Sequence, residues 1–227
     1  MKTGKNPRIP LDEAQFTQGG AADFYDEHSH RFMGLVYRRL AARATALEHG
    51  RCRVLDVGTG TGLLPLELIK ARPDWQITGI DISPDMLKLA RVNAAKEDVY
   101  GKIEFLRASA VELPFDNKSF DMLVSNASLH LWQDPVKVFS EMARVTAAGG
   151  YCLIRDNLRV GRLKPFLGLV GTSMGMSKEQ RGLWMRAVQS AYTAGEAETL
   201  VKEAGMRDSK VKALYPMMEL EIVWRKT

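Results

Sequence analysis

Hydrophobic residues change their period along this chain, and the changes divide it. Between Ala22 and His49 they recur at three- and four-residue steps (Phe24, Phe32, Leu35, Val36, Leu40 and Leu47), the spacing of an amphipathic helix. From Arg53 onward the pattern becomes short apolar runs of strand length separated by stretches of helical period. RVLDVG (53–58), QITGID (76–81), KIEFLRAS (102–109), FDMLVSN (120–126) and GYCLIRD (150–156) predict strands. LLPLELIKAR (63–72), SPDMLKLARVNAAKE (83–97) and PVKVFSEMARV (135–145) predict helices. Ser83 is a suitable N-cap ahead of Pro84, and Pro65 falls in a first turn, where a missing N–H is tolerated.

Strands that alternate with helices of about ten residues form βαβ units. The expected fold is therefore α/β, a Rossmann-like doubly wound sheet with helices on both faces. After Asp156 the rhythm breaks. Residues 157–177 are rich in Gly and Met and poorly periodic, which predicts an inserted, partly helical lid. Phe166, Leu167, Leu169, Val170, Met174 and Met176 would cover either an apolar substrate or the core itself. Helices are expected over 178–194 and 196–205, the second stopped by Gly205. KVKALYPMMELEIVWRK predicts two closing strands joined around Pro216, an antiparallel hairpin at the sheet edge. The expected organisation is one domain of 227 residues. A leader and cap helix (1–49) precede a ligand-binding core (50–156), the lid segment (157–195) and a final helix with edge strands (196–227).

Composition narrows the class. Hydrophobic content of 45% and charged content of 26% are those of a soluble globular protein, and no apolar run reaches 18 residues, so no membrane span is expected. MKTGKNPRIPLDEAQF carries basic residues without an apolar stretch behind them, unlike a secretory signal. Cys52 and Cys152 lie a hundred positions apart, which predicts two buried free thiols and a cytoplasmic, reducing location. The net charge of +5 permits an acidic partner, but the basic residues are scattered. Their densest group, Arg155, Arg159, Arg162 and Lys164, lacks interleaved aromatics and makes a weak nucleic-acid footprint.

The chemistry is concentrated in VLDVGTGTGLL, where a predicted strand runs into Gly58, Gly60 and Gly62. A Gly-rich turn between strand and helix, at the carboxyl edge of a parallel sheet, is where doubly wound folds bind nucleotides. The G-x-G-x-G spacing is neither the G-x-G-x-x-G of dinucleotide sites nor a P-loop with its Gly-Lys-Ser/Thr, so phosphate is not the expected ligand. Asp81 follows at the end of the next strand, where a carboxylate can accept both ribose hydroxyls of an adenosine.

VLDVGTGTG followed by GIDIS resembles the class I S-adenosylmethionine-dependent methyltransferases. VELPFDNKSFDMLVSNASLHLWQDP and EMARVTAAGGYCLIRD resemble their small-molecule branch, which includes the ubiquinone/menaquinone-biosynthesis enzymes. The resemblance covers residues 50–156 closely and the final strands loosely. It implies a seven-stranded sheet, mostly parallel with an antiparallel C-terminal strand, and S-adenosylmethionine as cofactor. It implies that Asp56 and the turn Gly58, Thr59, Gly60 and Gly62 hold the methionine part, and that Asp81 binds the ribose. Ile82 would lie on the adenine, with Met86 nearby, and Asn126 would offer a carbonyl to the cofactor. Tyr25, in a Tyr25-Asp26 pair, would belong to a leader that closes over the site. Many relatives have Gly-Asp-Ala after the third strand where this chain has Ala108-Ser109-Ala110, which leaves adenine recognition to Ser109 and the Ala110 N–H.

Methyl transfer from a sulfonium is an in-line displacement that needs alignment and exclusion of water. A hydroxyl or carbon acceptor also needs a base. His130, in SNASLHLW beyond the fourth strand, is the candidate base, and its competing role is positional, bonding its own loop or touching the cofactor. Arg155-Asp156-Asn157 resembles the metal-ligating Asp-Asn of catechol-type O-methyltransferases, but the third ligand position is the amide Asn126, so no metal is expected. His28 and His30, two residues apart, cannot share a helix face to bind one. The expected partner is a small-molecule methyl acceptor, with the protein a monomer or homodimer. The alternatives are methylation of RNA or protein, or cofactor binding without turnover. SNAS at the fourth strand end is not the Asn/Asp-Pro-Pro-Tyr/Phe of enzymes that methylate exocyclic base amines.

Overall fold

The computed structural model describes residues 7–11, 26, 33–99, 101–160 and 178–227. Its elements follow the alternation of the sequence: α1 (Gly34–Leu47), β1 (Arg53–Val57), α2 (Leu63–Ala71), β2 (Gln76–Asp81), α3 (Pro84–Lys96), β3 (Ile103–Arg107) and β4 (Phe120–Asn126). A 3-10 turn at Leu129–Leu131 leads to α4 (Pro135–Val145) and β5 (Thr146–Asn157). The chain closes with α5 (Lys178–Ser190), α6 (Ala194–Glu203), β6 (Lys210–Leu214) and β7 (Glu219–Arg225).

The seven strands form one sheet in the order β3-β2-β1-β4-β5-β7-β6. β1 to β5 are parallel, and β7 runs antiparallel to both β5 and β6. The order reverses direction between β1 and β4, which opens a crevice at their carboxyl ends where ligands of such sheets bind.

Both faces of the sheet are covered, so the central strands are apolar on both sides. Val54, Ile77, Met122 and Leu153 face the layer of α1, α2 and α3. Leu55, Ile80, Leu123 and Ile154 face the layer of α4 and α6. Helix starts are set by local chemistry: Ser83 Oγ accepts from the Met86 N–H, Asp134 accepts from the Lys137 N–H, and Thr193 with Glu196 makes a capping box.

The structure differs from the sequence reading in several places. The described part of the leader helix buries Tyr37, Leu40, Ala41 and Ala44, whereas Leu35 is 51% exposed. Small residues at three- and four-residue steps let α1 lie close to its neighbours, a face that large-residue periodicity does not show. β5 begins at Thr146 rather than 150, with a register shift against β4 that accommodates Gly149 and Gly150. Residues 158–160 are buried rather than part of a loose lid, and Leu158 bridges to Tyr192. Two of the four clustered basic residues, Arg155 and Arg159, are buried against Glu221 and Glu196 and form no surface patch. The lid residues 161–177, with Arg162 and Lys164, lie outside the described residues.

Candidate active site

The turn after β1 is built by backbone hydrogen bonds to β2. The Gly58 and Thr59 N–H groups both donate to the Ile80 carbonyl, at 2.9 and 2.8 Å. Gly58, Gly60 and Gly62 all have positive φ, at 75°, 53° and 78°. Two of them also answer a packing demand. A Cβ on Gly58 would stand 2.8 Å from Ser128 Cβ, and one on Gly62 would stand 2.9 Å from Ala90 Cβ on α3. Ligand access is therefore not the only reason for these glycines. The turn needs close approach to the β4 loop and to α3 whatever binds above it.

Asp56, one residue before the end of β1, is 1% exposed, and neither of its side-chain oxygens has a hydrogen-bond partner. Burial pushes its carboxyl up to about 7 and the Asp81 charge adds to it, while the nearby Thr59 hydroxyl, itself buried without a hydrogen-bond partner, opposes the shift without closing a bond to it. Orphaned buried carboxylate oxygens are costly unless a donor meets them. Asn126, at the end of β4, carries the complementary orphan: its Nδ2 is buried without an acceptor. Asp56 pairs with Val124, two residues before Asn126 in the adjacent strand, so both side chains belong to the same sheet face. An ammonium for Asp56 and an anion for Asn126 are the two ends of an α-amino acid, which suits the methionine part of S-adenosylmethionine.

Asp81 ends β2, and each of its oxygens accepts one backbone N–H, from Gly60 at 2.9 Å and from Ser83 at 2.9 Å. Burial raises its carboxyl above the ordinary range, and these backbone bonds pull the other way. Lone pairs remain for two hydroxyls of a ribose. Beside it Ile82 is 42% exposed, an apolar surface suited to a planar base. Met86 is buried in the first turn of α3, and half-buried Ser109 and Ala110 follow β3, whose turn is tied to Asp81 by the Ala108 N–H at 3.1 Å. These residues, together with Asp56, fit the cofactor.

His130 lies in the 3-10 turn after β4 and is 4% exposed. Its Nδ1 is 2.7 Å from Asp156 Oδ1, and its backbone N–H donates to Asp156 Oδ2 at 3.2 Å. The Asn157 N–H also donates to Asp156 Oδ1, at 2.6 Å. The His130 carbonyl accepts from Arg8 Nη2 at 3.0 Å, and the Arg8 guanidinium lies 4.2 Å from the centre of the Tyr192 ring. Trp132 packs edge-on against Phe139, a core contact. Asp156 is thus taken up by a histidine and two backbone donors. Among the described residues no group of three or more His, Cys, Asp or Glu is arranged to hold a metal ion.

Asp56, Gly58, Gly60, Asp81 and Asn126 come together at the crevice, with His130 joined to it through Ser128, whose Oγ donates to the Gly58 carbonyl at 3.2 Å. Tyr25, His28 and His30 lie outside the described residues, but Asp26 is placed: its Oδ1 accepts from Asn93 Nδ2 at 2.8 Å. The same Nδ2 donates to the Thr61 carbonyl at 3.1 Å, linking the leader to the glycine turn. Sequence reasoning did not pair Asp156 with His130. The signal was available, because strands four and five of such a sheet are neighbours and residues just past their ends meet.

The sequence matches the family model described as "Methyltransferase domain" over residues 48–205. It is 29% identical over 220 residues to 2-methyl-6-phytyl-1,4-hydroquinone methyltransferase 2, chloroplastic, of Oryza sativa subsp. japonica, covering 91% of this chain and 57% of that protein. It is 38% identical over 121 residues to the ubiquinone/menaquinone biosynthesis C-methyltransferase UbiE of Geobacter sp. (strain M21), covering 53% of this chain and 51% of that one. The chain thus spans about half the length of the curated relatives it matches. In fold it is similar to the plantazolicin methyltransferase BpumL, solved with SAH, at a TM-score of 0.76, 16% identity, and coverage of 95% and 93% of the two chains. It is also similar to a SAM-dependent methyltransferase from Aquifex aeolicus, at a TM-score of 0.65, 18% identity, and coverage of 83% and 89%. The glycine turn, the strand-end acids and the sheet order agree with these matches: the chain belongs to the methyltransferase domain family and has the Rossmann-like fold of the S-adenosylmethionine-dependent enzymes.

Proposed function

We propose that this protein is an enzyme that transfers the methyl group of S-adenosylmethionine to a small, quinol-type aromatic acceptor. The observation that carries the cofactor reading is Asp56, a sealed carboxylate with no donor of its own. The acceptor class is suggested by the relatives, which are named for methylating a phytyl hydroquinone and for ubiquinone and menaquinone biosynthesis. Burial of Arg155 and Arg159 in ion pairs supports a small acceptor over nucleic acid. Two buried free thiols support a reducing compartment such as the cytoplasm. Among the described residues no helix is long and apolar enough to cross a membrane.

When bound, the cofactor supplies an electrophilic methyl on a sulfonium. Asp56 holds the ammonium and the backbone of Gly58 to Gly62 lies along the methionine part. Asp81 orients the ribose, while Ile82, Met86, Ser109 and Ala110 enclose the adenine. Asp26 is fastened to Asn93, whose Nδ2 also donates to the Thr61 carbonyl of the glycine turn. His130 faces the acceptor as its base.

Calorimetric titration with S-adenosylmethionine, S-adenosylhomocysteine and NAD tests the cofactor, with micromolar binding of the two sulfur ligands and none of NAD expected. Methyl release is then measured with demethylated quinols, and with tRNA and protein as competitors. Turnover only on a macromolecule would overturn the acceptor class.

A further inference from the structure

We infer that Asp156 positions His130 so that the ring presents an Nε2 lone pair to a hydroxyl-bearing aromatic acceptor and takes its proton during methyl transfer. This rests on the methyltransferase reading and narrows its acceptor to one that must be deprotonated.

The assignment follows from donors and acceptors. An ionised carboxylate only accepts, so the 2.7 Å contact requires the hydrogen on Nδ1, and the neutral ring then carries its lone pair on Nε2. Nε2 has no hydrogen-bond partner among the described residues. Both side chains are nearly sealed, at 5% and 1% exposure, so solvent does not compete for the bond. The aim is fixed as well as the tautomer, because the same carboxylate also accepts from the His130 backbone N–H, at 3.2 Å. Arg8 on the His130 carbonyl and the Leu131 N–H on the Ser128 carbonyl hold the turn from its other side. Ser128 binds the glycine turn, so the base is referenced to the cofactor site through two residues of chain.

A thiol or amine acceptor needs little help from a base, whereas a phenolic hydroxyl gains from one aimed at it. In the step, the O–H proton passes to Nε2 and its electron pair stays on the acceptor. The phenolate oxygen, or the ring carbon conjugated with it, bonds to the methyl carbon as the carbon–sulfur bond breaks, its pair going to sulfur. Attack through carbon ends with loss of that carbon's proton to solvent, which restores the ring as a phenolate that takes back the proton held on Nε2; attack through oxygen ends with that proton passing from Nε2 to solvent.

The test combines a tautomer measurement with kinetics. Nitrogen-15 NMR of histidine-labelled protein, with His130 assigned by the H130Q variant, should show Nδ1–H and a bare Nε2 in the unmodified chain. This measurement needs no substrate, so it separates failure of the inference from failure of the proposed function. In Asp156→Asn the ring should shift toward Nε2–H. kcat with a quinol acceptor should then fall about 10²- to 10⁴-fold while cofactor affinity stays within about twofold. An Nε2–H tautomer in the unmodified protein would overturn the inference, even if the variant fails to fold. A folded Asp156→Asn protein that keeps its kcat would overturn it as well.

Discussion

Asp81 reaches back across the sheet edge to Gly60, whose N–H donates to its Oδ2 at 2.9 Å, while the Ser83 N–H occupies the other oxygen at 2.9 Å. The acid that would orient a ribose therefore also shapes the glycine turn and the start of α3. Asp81→Ala should lose at least tenfold in cofactor affinity and destabilise the fold by about 1–3 kcal/mol, since two backbone donors lose their acceptor. Calorimetry and urea denaturation report the two effects separately. Unchanged stability would mean that the turn holds its shape without this carboxylate.

Gly58 should not tolerate alanine. Its positive φ costs a non-glycine residue on the order of 1 kcal/mol. Gly58→Ala adds a collision with Ser128, so it should be more destabilising than the backbone strain alone, and Ser128→Gly should recover part of the loss. Thermal melts of Gly58→Ala, Ser128→Gly and the double variant measure that coupling.

Asp56 should show a proton linkage to cofactor binding. Its carboxyl is raised to about 7 by burial, above the unfolded value, so its contribution to stability is full below about pH 4 and is lost as pH rises through 7. A cationic ligand needs the ionised form, so cofactor affinity should fall as pH drops from 8 to 6, with proton release on binding. Titrations in buffers of different ionisation enthalpy count that proton. Asp56→Asn should abolish the linkage and weaken binding.

Arg155 and Glu221 form a buried pair on adjacent strands, with Nη2 to Oε2 at 2.8 Å and Nε to Oε2 at 3.0 Å. Removing one partner strands a charge, so Glu221→Leu should cost about 3–5 kcal/mol, toward the lower end because Glu219 lies 3.8 Å from Arg155 Nη1. The double change Arg155→Met, Glu221→Leu should cost less than Glu221→Leu alone in chemical denaturation.

Cys52 and Cys152 should be inert. Both are buried and free, and burial pushes both thiols up to about 12, so the reactive thiolate is scarce at neutral pH. A thiol-reactive dye should label neither before denaturant is added, and Cys152→Ser should retain cofactor binding.

The sequence by itself determined the sheet and most of its frame. The boundaries of β2, β4 and α4 agree with their apolar runs, and Ser83 with Pro84 begins α3 as their chemistry dictates. These features are local: strand runs, helix periods and caps are written within a dozen residues. The same is true of the glycine turn and the acid at the end of β2. The buried face of α1 escaped because it uses Ala41 and Ala44, whose small size matters only against a partner surface. What only the tertiary structure decided is which distant residues meet. It joined Asp156 to His130, sealed Arg155 and Arg159 that counted as basic surface in a linear reading, and left Asp56 without a donor. Hydrogen bonds and desolvation act over a few ångströms of space rather than along the chain, so the partners of these groups were fixed only when β4, β5 and β7 lay side by side.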